Sequence, residues 1–164
     1  MAGRAAPEEV GYWVDAAPFR AQLHHLMGST ALTAAEVAAV AGISARLAGH
    51  LAYGRNGRAL RRVSRDTGQR LMALSVGQLR RLRWVSEPAG RAREQLERLR
   101  RAGWDDPAIA DRVGSTTAEL AELTAGATNC RRLLALRLVA AAEVEAGGDG
   151  TGSPWRTDQD GHAA

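Results

Sequence analysis

The sequence echoes itself. Displaced by 72 residues, Val37-Ala38 falls on Ile109-Ala110, Gly42 on Gly114, Leu51 on Leu123 and Gly54 on Gly126. After a gap the flanks echo as well, RLMAL at Arg70 to Leu74 against RLLAL at Arg132 to Leu136. Spacing kept across 18 residues points to one helical unit used twice. The character of that unit lies in VAAVAGISARLAGHLAYG, Val37 to Gly54. Its apolar residues suit either a core helix or two short helices and a turn. Gly42 favours the turn, because glycine accepts the positive φ that ends a helix, and Ser44 is placed to cap the next one.

Helix formers dominate the remainder, with many Ala, Leu, Arg and Glu and few aromatics or β-branched runs. The expected fold class is therefore all-α: two tandem helix-turn-helix units, a short linker and a disordered C-terminal tail. Residues 1–11 read as a flexible arm, 12–85 as the first unit, 86–146 as the second and 147–164 as the tail. Asp15 and Pro18 start a helix whose apolar face is Phe19, Leu23, Leu26 and Met27. Thr33 to Glu36 has capping-box spacing. Asp66 or Thr67 is placed to cap a helix through RLMAL. SEPAG, Ser86 to Gly90, marks the boundary between units. A charged helix with Leu96 and Leu99 as its stripe follows and stops at Gly103. DDPAIADRVG opens with capping aspartates and Pro107, and a last helix covers about Asn129 to Ala146.

The inner side of the helix after Gly42 is expected to carry Ile43, Leu47 and Leu51, with Ala48 contributing less and Ala38 at the helix crossing. Its outward positions near the start are then Ala45, Arg46, Gly49 and His50. This pattern resembles the lambda-repressor-like (Cro/repressor) helix-turn-helix family in Val37, Ala38, Gly42, Ile43, Ser44, Leu51 and Gly54. Residues 12–75 also resemble small helix-turn-helix DNA-binding proteins of high-GC Gram-positive bacteria and their phages. Ala48 departs from the family, which generally has Ile or Val there. The resemblance implies a helix in the major groove with Ser44, Ala45, Arg46, Gly49 and His50 at base edges. Arg46 is the strongest reader chemically, since a guanidinium can bond O6 and N7 of guanine at once.

All 22 basic side chains of the +4 chain are arginines, so only their clustering is informative. Six lie in the sixteen residues from Arg55 to Arg70, against one acid, Asp66. Of these, Arg55, Arg58, Arg61, Arg62 and Arg65 are the candidate phosphate contacts, and Asn56-Gly57 would fold the segment into a tight turn or short wing. The solvated-loop reading of the same arginines stands beside it. The second unit carries Thr117, Ala118, Ala121 and Glu122 outward, with Glu119 close by. Carboxylates oppose phosphates, so this unit is expected to pair chains or to present a surface to another protein.

Nothing points to an enzyme. No Gly-rich phosphate loop, nucleophile elbow or catalytic carboxylate pair is present. His24, His25 and His50 lack partners at metal-ligand spacing, and no cofactor is expected. Cys130 cannot form an internal disulfide; a buried structural thiol and a reactive one at a helix start are its two readings. Trp155 is a candidate docking residue. No signal peptide or membrane-spanning run is evident, so the expected location is the cytoplasm, at the nucleoid. The expected function is a sequence-specific DNA-binding transcriptional regulator acting on double-stranded DNA, either as a homodimer or with both units on one asymmetric site. The alternative is a helical interaction adaptor, antitoxin-like or polymerase-binding, with little or no DNA binding.

Overall fold

The structure, a computed structural model, describes residues 12–147. The expectations for the arm at 1–11, for the tail beyond Gly147 and for Trp155 lie outside the described residues. The chain is all-α, with four three-residue strands as its only extended elements among the described residues. Its first half runs β1 (Trp13–Asp15), α1 (Ala17–Thr30), α2 (Ala34–Ala41), α3 (Ala45–Tyr53), β2 (Arg62–Ser64), α4 (Arg65–Met72) and α5 (Val76–Arg81). Its second runs β3 (Ser86–Pro88), α6 (Gly90–Arg101), α7 (Asp106–Val113), α8 (Thr117–Thr124), β4 (Asn129–Arg131) and α9 (Arg132–Gly147).

One strand–three-helix–strand–helix unit thus occurs twice, and its hydrogen bonds repeat residue by residue. In each copy the two strands pair antiparallel, Trp13 opposite Ser64 and Ser86 opposite Arg131. Ala16 N–H donates to Arg61 O, and Ala89 N–H to Thr128 O, both at 2.9 Å. Arg20 and Arg93 reach equivalent carbonyls: Arg20 those of Leu51 and Leu60, Arg93 those of Leu123 and Ala127. The Leu51 and Leu123 carbonyls lie in the last turns of α3 and α8, where helix geometry leaves acceptors without an intrahelical partner.

Local signals set the helix boundaries. Thr33 and Glu36 close a reciprocal capping box on α2. Asp105 caps α7, with Pro107 in its first turn. The turns after α2 and α7 match: Gly42 and Gly114 have φ of 69° and 60°, and the next N–H reaches back to Ala38 O or Ala110 O.

Three expectations are corrected. Ser64, not Asp66 or Thr67, caps α4, its Oγ accepting from Thr67 N–H, while Asp66 pairs with Arg70 at 2.8 Å. Asn129–Arg131, expected as the start of the last helix, is a strand, because it supplies the partner that Ser86–Pro88 needs. Finally, the flank echo is displaced by five residues. Arg70 Nη1 donates to Gly42 O and Arg137 Nη1 to Val113 O, so Arg70 corresponds to Arg137, not Arg132. Leu71 and Leu138, the next residues, are both fully buried.

Each copy has its own core. Leu23, Leu26, Val37, Ala38, Ala48 and Leu51 centre the first; Leu96, Leu99, Ile109, Leu120 and Leu123 centre the second. Helix α9 serves both. Leu134, Ala135 and Leu138 belong to the second core, whereas Leu136 lies in the first and Leu133 packs against it. A helix buried on opposite sides needs apolar residues around most of its circumference, which RLLALRLVAAA supplies. Arg137 adds a polar tie, with Nε 3.1 Å from Oε1 of the buried Glu36 on α2.

Candidate nucleic-acid interface

The interface is built from α3 and the segment that follows it. Ser44 is the N-cap of α3, and its Oγ accepts the Leu47 N–H at 3.2 Å. Arg46 is exposed, and Gly49 and His50 are half-buried on the same side. Ala45 is not outward: it is buried, as are Ala48, Leu51 and Ala52. The apolar side is therefore rotated from the expected one, and Leu47 is only half-buried at its edge. Alanine is favoured on this side because α2 and α3 approach closely, with Ala38 and Ala48 both fully buried. A methyl group seated there cannot reach a thymine, so Ala45 leaves the base-reading set.

Tyr53 was missed. It follows Arg46 by seven residues and His50 by three, the spacing of one helix face, and it is 70 % exposed. Its ring meets His24 edge to face at 6.4 Å. His24 in turn donates from Nε2 to Ala52 O at 3.0 Å, fastening the end of α3 to α1. The spacing from Arg46 would have found Tyr53, had the helix end not been read only as a stop.

Beyond α3 the chain makes a tight hairpin. Arg55 and Arg58 exchange N–H···O bonds of 2.8 and 3.0 Å across Asn56-Gly57. Asn56 and Gly57 have φ of 50° and 72°, positive at both central positions as a type I′ turn requires. Gly54 permits the approach, since a Cβ there would lie 2.6 Å from Arg58 O. Arg61 receives the Ala16 N–H on its carbonyl, Arg62 stands opposite Asp15 in the ribbon, and Arg65 opens α4.

Arg46, Arg55, Arg58, Arg61, Arg62 and Arg65 are all exposed, and none forms an ion pair with a described residue. Several arginines of the second copy are paired with acids instead. Arg100 makes a two-pronged contact with Asp106, both arms 2.8 Å, and a 2.7 Å bond to Glu97. The bond to Asp106 raises the Arg100 pKa still further and holds the Asp106 carboxyl below the usual range. Arg131 grips Glu119 at 2.7–2.9 Å. Burial pushes the Glu119 carboxyl up, but bonds from Ser115 and Arg131 outweigh it and leave it lowered.

Thr117, Ala118, Ala121 and Glu122 on α8 are exposed. Cys130 lies in a strand rather than at a helix start. Burial, then the charges of Glu87 and Glu119, push its thiol up, away from the reactive thiolate. Among the described residues no helix is long and apolar enough to cross a membrane.

Fold and site together define an all-α chain of two copies of one unit, with six exposed arginines around α3 of the first that form no ion pair with a described residue. Comparison with protein-family models, with curated proteins and with solved structures found no match.

Proposed function

We propose that the chain is a sequence-specific DNA-binding transcriptional regulator whose first unit engages double-stranded DNA. The observation that carries this reading is the partition of arginine. Around α3 and the segment after it six arginines stand unpaired, whereas the matching part of the second copy has Ala118, Thr128 and Asn129 in place of Arg46, Arg61 and Arg62 and pairs Arg131 and Arg132 with Glu119 and Glu87. Helix α3 enters the major groove, with Arg46 reading a base edge and Ser44, Gly49 and His50 beside it. Arg55 and Arg58 on the hairpin, with Arg61, Arg62 and Arg65, hold phosphates. The exposed acid Glu122 on α8 favours a protein-facing role for the second unit.

Selection from a random duplex pool, followed by titration in competitor DNA, tests the reading. A preferred site should emerge, and Arg46→Ala should relax preference at one or two base pairs, about 1–3 kcal/mol of discrimination. Unchanged site selection by Arg46→Ala refutes the assignment of α3. Absence of any duplex binding at low salt refutes the function and leaves the interaction adaptor as the better reading.

A further inference from the structure

Next to the hairpin lies a cleft of about 770 Å³ lined by Trp13, Asp15, Arg20, Leu60, Arg61 and Arg62. This volume is in the range of small-molecule sites. Arg20 is spent on the carbonyls of Leu51 and Leu60 and forms part of the wall. The Trp13 ring is 51 % exposed, and the exposed guanidinium groups of Arg61 and Arg62 have no carboxylate within ion-pair distance among the described residues. One Asp15 oxygen takes the Ala17 N–H at 3.0 Å, leaving its other oxygen as an acceptor.

The second copy shows that the fold does not need these groups. By strand register and the shared backbone bonds, Trp13 corresponds to Ser86, Asp15 to Pro88, Arg61 to Thr128 and Arg62 to Asn129. The buttress Arg20 is kept as Arg93. The ribbon therefore closes equally well without the indole, the carboxylate and both guanidinium groups, so all four are available for a ligand.

We propose that this cleft is a binding site for a free nucleotide. The base stacks on Trp13, the phosphate pairs with exposed guanidinium groups at the cleft wall, Arg62 across the ribbon from Asp15 and Arg61 beside it, and Asp15 accepts a hydrogen bond from a sugar hydroxyl or base amine. Flat aromatic surfaces gain by stacking on an exposed indole, and a guanidinium group matches phosphate geometry. Bound nucleotide would also displace a duplex phosphate from Arg61 and Arg62, a consequence that rests on the duplex-binding reading.

Calorimetric titration of the full chain with adenosine and guanosine 5′-monophosphates, without duplex, tests the site independently of DNA binding. Controls are inorganic phosphate and a short single-stranded oligonucleotide. The expected result is saturable one-to-one binding of a mononucleotide. It should be weakened at least tenfold by Trp13→Ser and by Arg61→Thr with Arg62→Asn, the residues of the second copy, at unchanged helicity. Trp13→Tyr, which keeps a ring, should retain affinity within about threefold, a check that stands even if Trp13→Ser misfolds. Failure of both mononucleotides to bind, binding of phosphate as tight as nucleotide, binding of the oligonucleotide alone, or unaltered affinity in Trp13→Ser overturns the proposal.

Discussion

The two copies share backbone and differ in what they do with charge. In both, a glycine at positive φ turns the chain, an arginine from α4 or α9 donates to a carbonyl at that turn, and Arg20 or Arg93 holds the end of the next helix. These shared parts are scaffold. The first copy then inserts the Arg55–Arg58 hairpin with its unpaired arginines, while the second shortens the connection and carries Thr128 and Asn129 where the first has Arg61 and Arg62. Duplication thus acts as an internal control: a residue kept in both copies with the same bonds serves the fold, and one found in only one copy serves that copy's surface.

The largest expected effect tests this division through charge. Converting Arg61 and Arg62 to the Thr and Asn of the second copy should weaken duplex binding on the order of tenfold or more for every sequence, and flatten the log–log salt slope by about two. Arg131→Ala should leave both unchanged. Filter binding or anisotropy across a salt series reads both effects, and equal losses from the two copies would break the comparison.

The next effect concerns packing. A Cβ on Gly68 would lie 2.5 Å from the Phe19 ring, whereas the corresponding positions of the second copy are Ala135 and Ala92. Gly68→Ala should cost about 1–3 kcal/mol by overpacking. Adding Phe19→Ala should return part of that loss, so the double-mutant cycle in urea should show coupling between the two sites. Purely additive losses would mean that the two positions do not answer each other.

Gly42→Ala and Gly114→Ala should each cost about 1–2 kcal/mol, because both require the left-handed backbone. Similar shifts in the unfolding midpoint would mark the turn as shared scaffold; a large disparity would not.

The smallest effect is confined to acid. Asp106 is held low by Arg100, so the pair contributes stability above the usual Asp range and loses it as pH falls through the folded value. Both side chains are partly exposed, which limits the size of the effect. Denaturation midpoints between about pH 5 and about pH 2 should fall less steeply in Arg100→Gln.

Features written into neighbouring residues were legible in the sequence: the Thr33 capping box, the Gly42 and Gly114 turns, the Asp105–Pro107 start and the Asn56-Gly57 hairpin. Each depends on hydrogen bonds or φ values within a few positions. The strands were not legible, since three residues carry no alternation and their partners lie some 50 positions away. The side of α3 that faces the core was misread because Leu47 outweighed Ala45 and Ala52 in the pattern. Burial of alanine is decided by how closely α2 approaches, which local spacing does not encode. The clustering of arginines was visible from the start, but their lack of acidic partners required the fold.

Helix α9 also sets an order of assembly. Leu133 and Leu136, which complete the first core, are synthesised more than 50 residues after Leu82, the last buried residue of the first half. While the chain emerges from a ribosome, the surface of the first copy that receives these leucines stays bare until the second copy has been made. The face around α3 thus reaches its final packing only when the whole tandem has been translated, and an interrupted chain would expose that seam.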